Sequence, residues 1–484
     1  MFFSTELYIK LILNSTVAKI NIQIYNIIYN STERMREIIM NLLNGSIRKH
    51  FVKFLIPAIS SAIAVAAYSL IDTIAIGQGV GADGTAACAI LLPVFSIASF
   101  IGLLCGIGGC VLRSKAKGES NEEKANAYFT AATLLVGVIT AVMWITGNLF
   151  QEKLYRLCGA DEILLPCSME YGSWIFAFLP SFVLTTFLGA FIRTDGSPRF
   201  VMYCTLIGGV INVIGDWLFV FPLKMGMTGA AIATVIGSVI QTLLLAVFIL
   251  CKKTSLKFVK PYKLFTAIKK ITAVGFGSSV GSLSLIAISF IANNQIMKYC
   301  GTPALALYGV LGTVSALFLS IFSGIGQAAQ PIVSENYGAG NHKRCLEAET
   351  LGMKTAVLFG TVFAVICIAF PVQVTGIFMK MTPEVAEITP YILRVYSLSF
   401  IPLAINTFAT YYLQSVIRSK MASVISLSRG LVLNALFLYV FPLFIGGNGI
   451  WWAVFFTEAV TTVISIFYLL IQYRNFKVTD EKLS

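Results

Sequence analysis

Long apolar runs alternate with short polar connections along this chain. Each run reaches the ~20 residues that a transmembrane helix needs, since a residue rises only ~1.5 Å and the hydrocarbon core is ~30 Å thick. The pattern predicts six spans in the first half: Phe51 to Gly77, Thr85 to Leu112, Ala125 to Phe150, Cys167 to Ile192, Met202 to Phe221 and Ala230 to Leu250. A Lys-rich connection over 252–270 leads to six more: Ile271 to Met297, Ala304 to Ala329, Leu351 to Phe370, Tyr391 to Leu413, Ser423 to Phe444 and Ile450 to Ile471.

The two sets of spans repeat one another. At a constant offset of 220, Gly81 matches Gly301, Gly106 matches Gly326, Gly118 matches Gly338 and Asn121 matches Asn341. Val220-Phe-Pro-Leu223 returns as Val440-Phe-Pro-Leu443, followed at the same distance by Gly229 and Gly449. Chance apolar matches are common in membrane proteins, but Pro, Gly and Asn matches in one unbroken register are not. Six is even, so both repeats enter from the same side and are parallel, related by an axis along the membrane normal. The expected fold is an all-α integral membrane protein of twelve transmembrane helices in two six-helix repeats. It divides into an N-terminal segment over 1–50, an N-lobe over 51–251, a linker over 252–270, a C-lobe over 271–471 and a tail over 472–484.

Composition agrees: 57% of residues are hydrophobic and 12% charged, against roughly 25% charged in soluble chains. The net charge of +13 does not indicate nucleic acid, because the basic residues form no stripe interleaved with stacking aromatics. They lie between the apolar runs, and 29 of the 35 fall on the side that holds both termini. The positive-inside rule makes that side cytoplasmic. A multi-pass protein of the plasma membrane is expected, with the lipid bilayer as its surroundings and a monomer as its state. Ten scattered cysteines and two histidines, His50 and His342, offer no metal-ligand spacing, so no metal and no cofactor are expected. Cys158 and Cys167 share an outer loop and could pair. Residues 1–40 show no signal peptide. Asn14, Asn21, Asn26 and Asn30 interrupt them, and Met35 and Met40 follow, so they read either as an over-extended start or as a cytoplasmic arm.

An ionised side chain within a span costs ~2.5 to 3.5 kcal/mol or more, so each one needs a reason. Asp72 and Asp216 each lie five residues before the outer end of a predicted span, at matched depth in the same lobe. Tyr68 is one turn before Asp72 and Asn212 one turn before Asp216, so each pair shares a helix face. Two carboxylates in one low-dielectric pocket cannot both stay ionised without help, so a proton or a cation is expected between them. The plain alternative is that each aspartate hydrogen-bonds within its own lobe. Arg429 and Glu458 read as hydrogen-bonded packing or snorkelling. Gly102 with Gly106, and Gly277 with Gly281, are GxxxG patterns that permit close helix approach.

These motifs resemble the multidrug and toxic compound extrusion family. The likeness rests on Pro57, Tyr68-Ser-Leu-Ile-Asp-Thr73, the spacing of Asn212 and Asp216, Gly229-Ala-Ala-Ile-Ala-Thr234, Gly326-Gln-Ala-Ala-Gln-Pro331 and Asn336-Tyr-Gly338, and it runs from about Gly45 to Ile471. The resemblance implies a transporter rather than an enzyme: an antiporter that expels small amphipathic, mainly cationic, compounds while H+ or Na+ enters. It implies a coupling site at Asp72, Asn212, Asp216 and Thr234, with Tyr68 beside it, and a first helix that bends at Pro57, where the ring removes an amide hydrogen. The second lobe departs from this pattern. At the offset of 220, Leu436 faces Asp216 and Ala292 faces Asp72, leaving Asn294 and Asn434 as neutral candidates for substrate contact. A flippase for lipid-linked saccharides is the alternative, to be marked by a large cationic cavity. An intramembrane aspartyl protease would need a GxGD-like motif, which Val213-Ile-Gly-Asp216 fails.

Overall fold

The computed structural model describes residues 42–481, apart from 159, 161, 163, 252, 253, 262 and 379–381. The question of the translation start therefore lies outside the described residues. Among these residues there is no strand. Eleven helices are long and apolar enough to cross a membrane, and one bent pair completes twelve spans.

In the N-lobe the spans are α1 (Ile47–Gly79), α2 (Ala82–Gly118), α3 (Glu122–Leu149), α4 (Leu164–Ala177 with Leu179–Thr194), α5 (Pro198–Val220) and α6 (Gly226–Leu250). In the C-lobe they are α7 (Leu264–Tyr299), α8 (Gly301–Gly338), α9 (His342–Ala369), α10 (Pro383–Ser397 with Phe400–Ser415), α11 (Ser419–Ile445) and α12 (Asn448–Glu481). Helix α7 starts inside the stretch read from sequence as linker. The two parts of α4 meet at 50° near Phe178, and Pro180 just inside the second part has no amide hydrogen to continue the ladder from the first. Sequence alone placed a single straight span there. Helix α1, in contrast, runs unbroken through Pro57, and Ser61 Oγ donates to the Pro57 carbonyl at 2.8 Å.

Small residues set how closely the helices approach. Gly102 and Gly106 of α2 pack on Thr186 and Ala190 of α4, so the first GxxxG pattern marks a real contact; of the second, Gly277 meets Ala422 while Gly281 faces open space. Two hydrophobic cores result, one centred on each lobe, with Ile47, Phe51 and Phe54 of α1 in the C-lobe core and Ala267, Ile271 and Val274 of α7 in the N-lobe core.

The lobes touch through α1 and α2 on one side and α7 and α8 on the other. A Cβ at Gly118 would run into the Glu335 carbonyl, and one at Gly338 into the Lys115 carbonyl. The offset of 220 relates both members of this contact, so it is reciprocal. Gly108 and Gly275 make a second backbone-to-backbone contact deeper in the seam, against Ile271 and Leu104. Arg193 of α4 donates to Gln327 of α8 across the same seam, and Gln327 reaches the Tyr411 hydroxyl at 3.4 Å. These contacts occupy the half of the molecule that carries most of the Lys and Arg. On the same basic side, Asp195 accepts from Arg113 at 2.9 Å and from the Ser255 amide at 2.7 Å, while the Lys257 and Val259 amides bond to Asn126 and Thr130 of α3. The connection between the lobes is thereby strapped to the N-lobe.

Candidate functional site

Helices α1, α4, α5 and α6 enclose a polar pocket inside the N-lobe. Close approach of α5 to α6 is permitted where Gly208 and Gly237 face one another's carbonyls and Gly215 meets Ala233. That approach buries the polar side chains between them, leaving Asn212 4% exposed and Asp216 fully buried. Asn212 Nδ2 donates to Thr234 Oγ1 at 3.3 Å, and Thr234 Oγ1 donates to Asp72 Oδ1 at 3.4 Å. The Asp216 carboxyl lies beside that of Asp72. Both Asp216 oxygens and Asn212 Oδ1 have no donor among the described residues. Two ionised carboxylates only accept, so a shared proton or a cation is what would join them. From the helix ends, Asp72 is seven residues deep and Asp216 four. The equal depth read from sequence is thus approximate, yet the carboxyls still meet.

The five pocket residues named from sequence therefore come together, with Tyr68 packed over Gly209 of α5, where an added Cβ would lie 2.6 Å from its ring. Pro57 is about 22 Å below Asp72 along α1. Asn294 is exposed and bonds only back along α7, to the Phe290 carbonyl at 2.9 Å; Asn434 is half-buried with its amide oxygen lacking a donor. Neither joins the pocket. Tyr171 does, although sequence reasoning missed it: it is 2% exposed, and its hydroxyl faces Thr234 beside both aspartates. It sits on the first part of α4, where nothing in a straight-span reading distinguishes one face from another.

The C-lobe holds a different polar centre. Arg429 Nε donates to Glu458 Oε1 at 3.1 Å and its Nη1 to Thr407 Oγ1 at 3.0 Å; Asn406 Nδ2 donates to Glu458 Oε2 at 2.8 Å, and Ser465 Oγ to Asn406 Oδ1 at 2.8 Å. Arg429 and Glu458 each lie ten residues into their spans, about 15 Å from the respective ends. This is hydrogen-bonded packing, as read from sequence, and not snorkelling. The turn that carries Arg429, Ser428–Val432, is π-helical, a local widening frequent at functional positions.

Twelve spans folded as two like lobes, with a polar pocket enclosed in one and the lobes meeting along a seam, have the architecture of a membrane transporter. The MatE family model matches residues 57–218 and again 278–440, once in each lobe, and the chain belongs to that family of multidrug efflux transporters. It is 25% identical over 435 residues to the multidrug export protein MepA of Staphylococcus saprophyticus, covering 88% of this chain and 94% of that one. It is also 25% identical over 397 residues to the FAD transporter of Shewanella oneidensis, covering 80% and 86%. A solved structure described as the outward-facing conformation of a multidrug resistance MATE family transporter superposes with a TM-score of 0.84 at 21% identity, covering 90% of this chain and 98% of that one.

Proposed function

We propose that this transporter expels amphipathic, predominantly cationic compounds in exchange for H+ or Na+, and that the ion binds at Asp72 and Asp216. The observation that carries the reading is the N-lobe pocket, where the buried Asp216 carboxyl and the Asn212 amide oxygen lack donors among the described residues, beside the half-buried carboxyl of Asp72. A proton or Na+ would supply what the acceptors lack. Thr234 and Asn212 would orient the Asp72 carboxyl, and Tyr171 would donate from the opposite wall. The basic side is assigned as cytoplasmic, with both termini there. The seam contacts of Gly118, Gly338, Gly108 and Gly275 then close the cytoplasmic half, which corresponds to an outward-facing state of an alternating-access cycle. Bending of α1 at Pro57 would move Asp72 against α5 when the ion is bound or released. A monomer suffices, because both lobes lie in one chain.

The acidic pocket weighs against a saccharide flippase, for which a large cationic cavity is expected. Transport by purified protein in liposomes, with pH and Na+ gradients imposed separately, tests the proposal. Export of an amphipathic cation that follows either gradient supports it. Equal rates with and without both gradients exclude ion coupling.

A further inference from the structure

On the flank of the C-lobe away from the N-lobe, α9, α10 and α12 leave a cleft of about 370 Å³, within the ~300 to 1,000 Å³ typical of small-molecule sites. Its walls are apolar, formed by Leu346, Met353, Val357, Ile405, Ile466 and Leu469, and one carboxylate, Glu349, is set into them. The N-lobe seam is carried mainly by α7 and α8, so this cleft looks toward the bilayer. Exposed apolar residues at its lip, Ile466, Leu470 and Tyr473, agree with that direction. Glu349 lies seven residues into α9, two before Leu351, where the apolar run begins. That places it about 10 Å from the helix start, near the boundary between headgroups and acyl chains. Its carboxylate faces the buried Tyr412 hydroxyl and forms no ion pair among the described residues. A lone acid in an apolar wall is met either by a proton or by a cation.

We propose that the cleft is a receiving site for amphipathic amines dissolved in the inner leaflet, with the ammonium on Glu349 and the alkyl or aryl body along Met353, Ile405 and Leu469. The words inner leaflet, and the link to export, rest on the transport reading above. The chemistry follows from the cleft itself: an apolar trough with one negative charge at headgroup depth complements a molecule with a greasy body and one positive end.

The probes are a diazirine-tagged dodecylamine and its uncharged N-acetyl derivative, applied to the full chain in phosphatidylcholine liposomes. Saturable photolabelling of peptides spanning 346–357 and 466–473 is expected with the amine. It should exceed labelling by the amide about tenfold, the effect of one charge-assisted contact in an apolar setting. Glu349→Gln should remove that preference, and Leu469→Trp, which fills the trough while keeping the charge, should suppress labelling by both probes. Equal labelling by amine and amide, or labelling untouched by Glu349→Gln, would overturn the assignment. So would displacement of the amine by phosphatidylethanolamine with no change in the KM for dodecylamine export upon Glu349→Gln, since the cleft would then hold a lipid headgroup. Failure of the unmodified protein to export dodecylamine under any gradient would count against the transport reading alone, because labelling does not require turnover.

Discussion

The two lobes are built from one repeated pattern and yet solve the problem of buried charge in opposite ways. In the N-lobe, Asp72 and Asp216 adjoin with no basic partner among the described residues, and although Thr234 donates to Asp72, both Asp216 oxygens lack a donor. In the C-lobe, Glu458 carries its counterion with it: Arg429 and Asn406 satisfy both its oxygens. The first arrangement leaves acceptors without donors, and the second is complete as it stands. Chemical exchange belongs where groups are unsatisfied. A neutralised pair serves better to hold helices α10, α11 and α12 in register.

The largest expected effect breaks this contrast at its acidic end. Asp72→Asn or Asp216→Asn should abolish gradient-driven accumulation in inverted vesicles, since each coupled charge is worth about 2.3 kcal/mol per 100 mV, or a concentration ratio of about 50. Full accumulation by either variant would remove that residue from coupling. Next in size is the C-lobe pair. Arg429→Met should destabilise the protein by about 3 to 5 kcal/mol, because Glu458 would be left buried and unpaired, whereas Arg429→Met with Glu458→Gln should recover much of that loss. Thermal unfolding in detergent reads both, and the double variant should keep its ion dependence. If it loses that dependence, the C-lobe centre is part of coupling and the contrast fails.

Smaller effects sharpen the picture. Tyr171→Phe removes one donor from the N-lobe pocket and should weaken ion affinity by about 1 kcal/mol, some fivefold, seen as a shift in the ion concentration giving half-maximal transport. Asn294→Ala and Asn434→Ala should alter substrate affinity by about 1 kcal/mol at most, because an amide can orient a ligand but cannot titrate. Equilibrium substrate binding measured beside ion-driven uptake separates the two kinds of change.

Much of this was legible in the chain because membrane physics limits the choices. Runs of twenty apolar residues must be helices, and the register of Pro222 with Pro442 declared the repeat. Asp72 and Asp216 stood out since charge is costly in a span, and their neighbours at one turn, Tyr68 and Asn212, followed from helical spacing. Contacts between distant spans were harder to read. Tyr171 is one tyrosine among 19, and only the 50° bend in α4 gives its position meaning. Arg429 and Glu458 were visible as charges but not as a closed set, because Asn406 and Thr407 enter from α10 with no pattern linking them to either. At Pro57 the helix is continuous, so the residue does not end α1.

The reciprocal contact of Gly118 and Gly338 has a meaning beyond closure. Gly118 of one half meets Glu335, the counterpart of Lys115, and Lys115 meets Gly338, the counterpart of Gly118. That is an isologous interface, the kind that joins identical subunits about a two-fold axis. Seen so, the molecule is a covalently tethered pseudo-homodimer, and the strap at Asp195, Ser255 and Lys257 is its tether. Strict symmetry would oblige both subunits to carry the same charges. Joined in one polypeptide, the halves are free to diverge, one toward an unpaired acid pocket and the other toward a sealed ion pair, without giving up the seam that joins them.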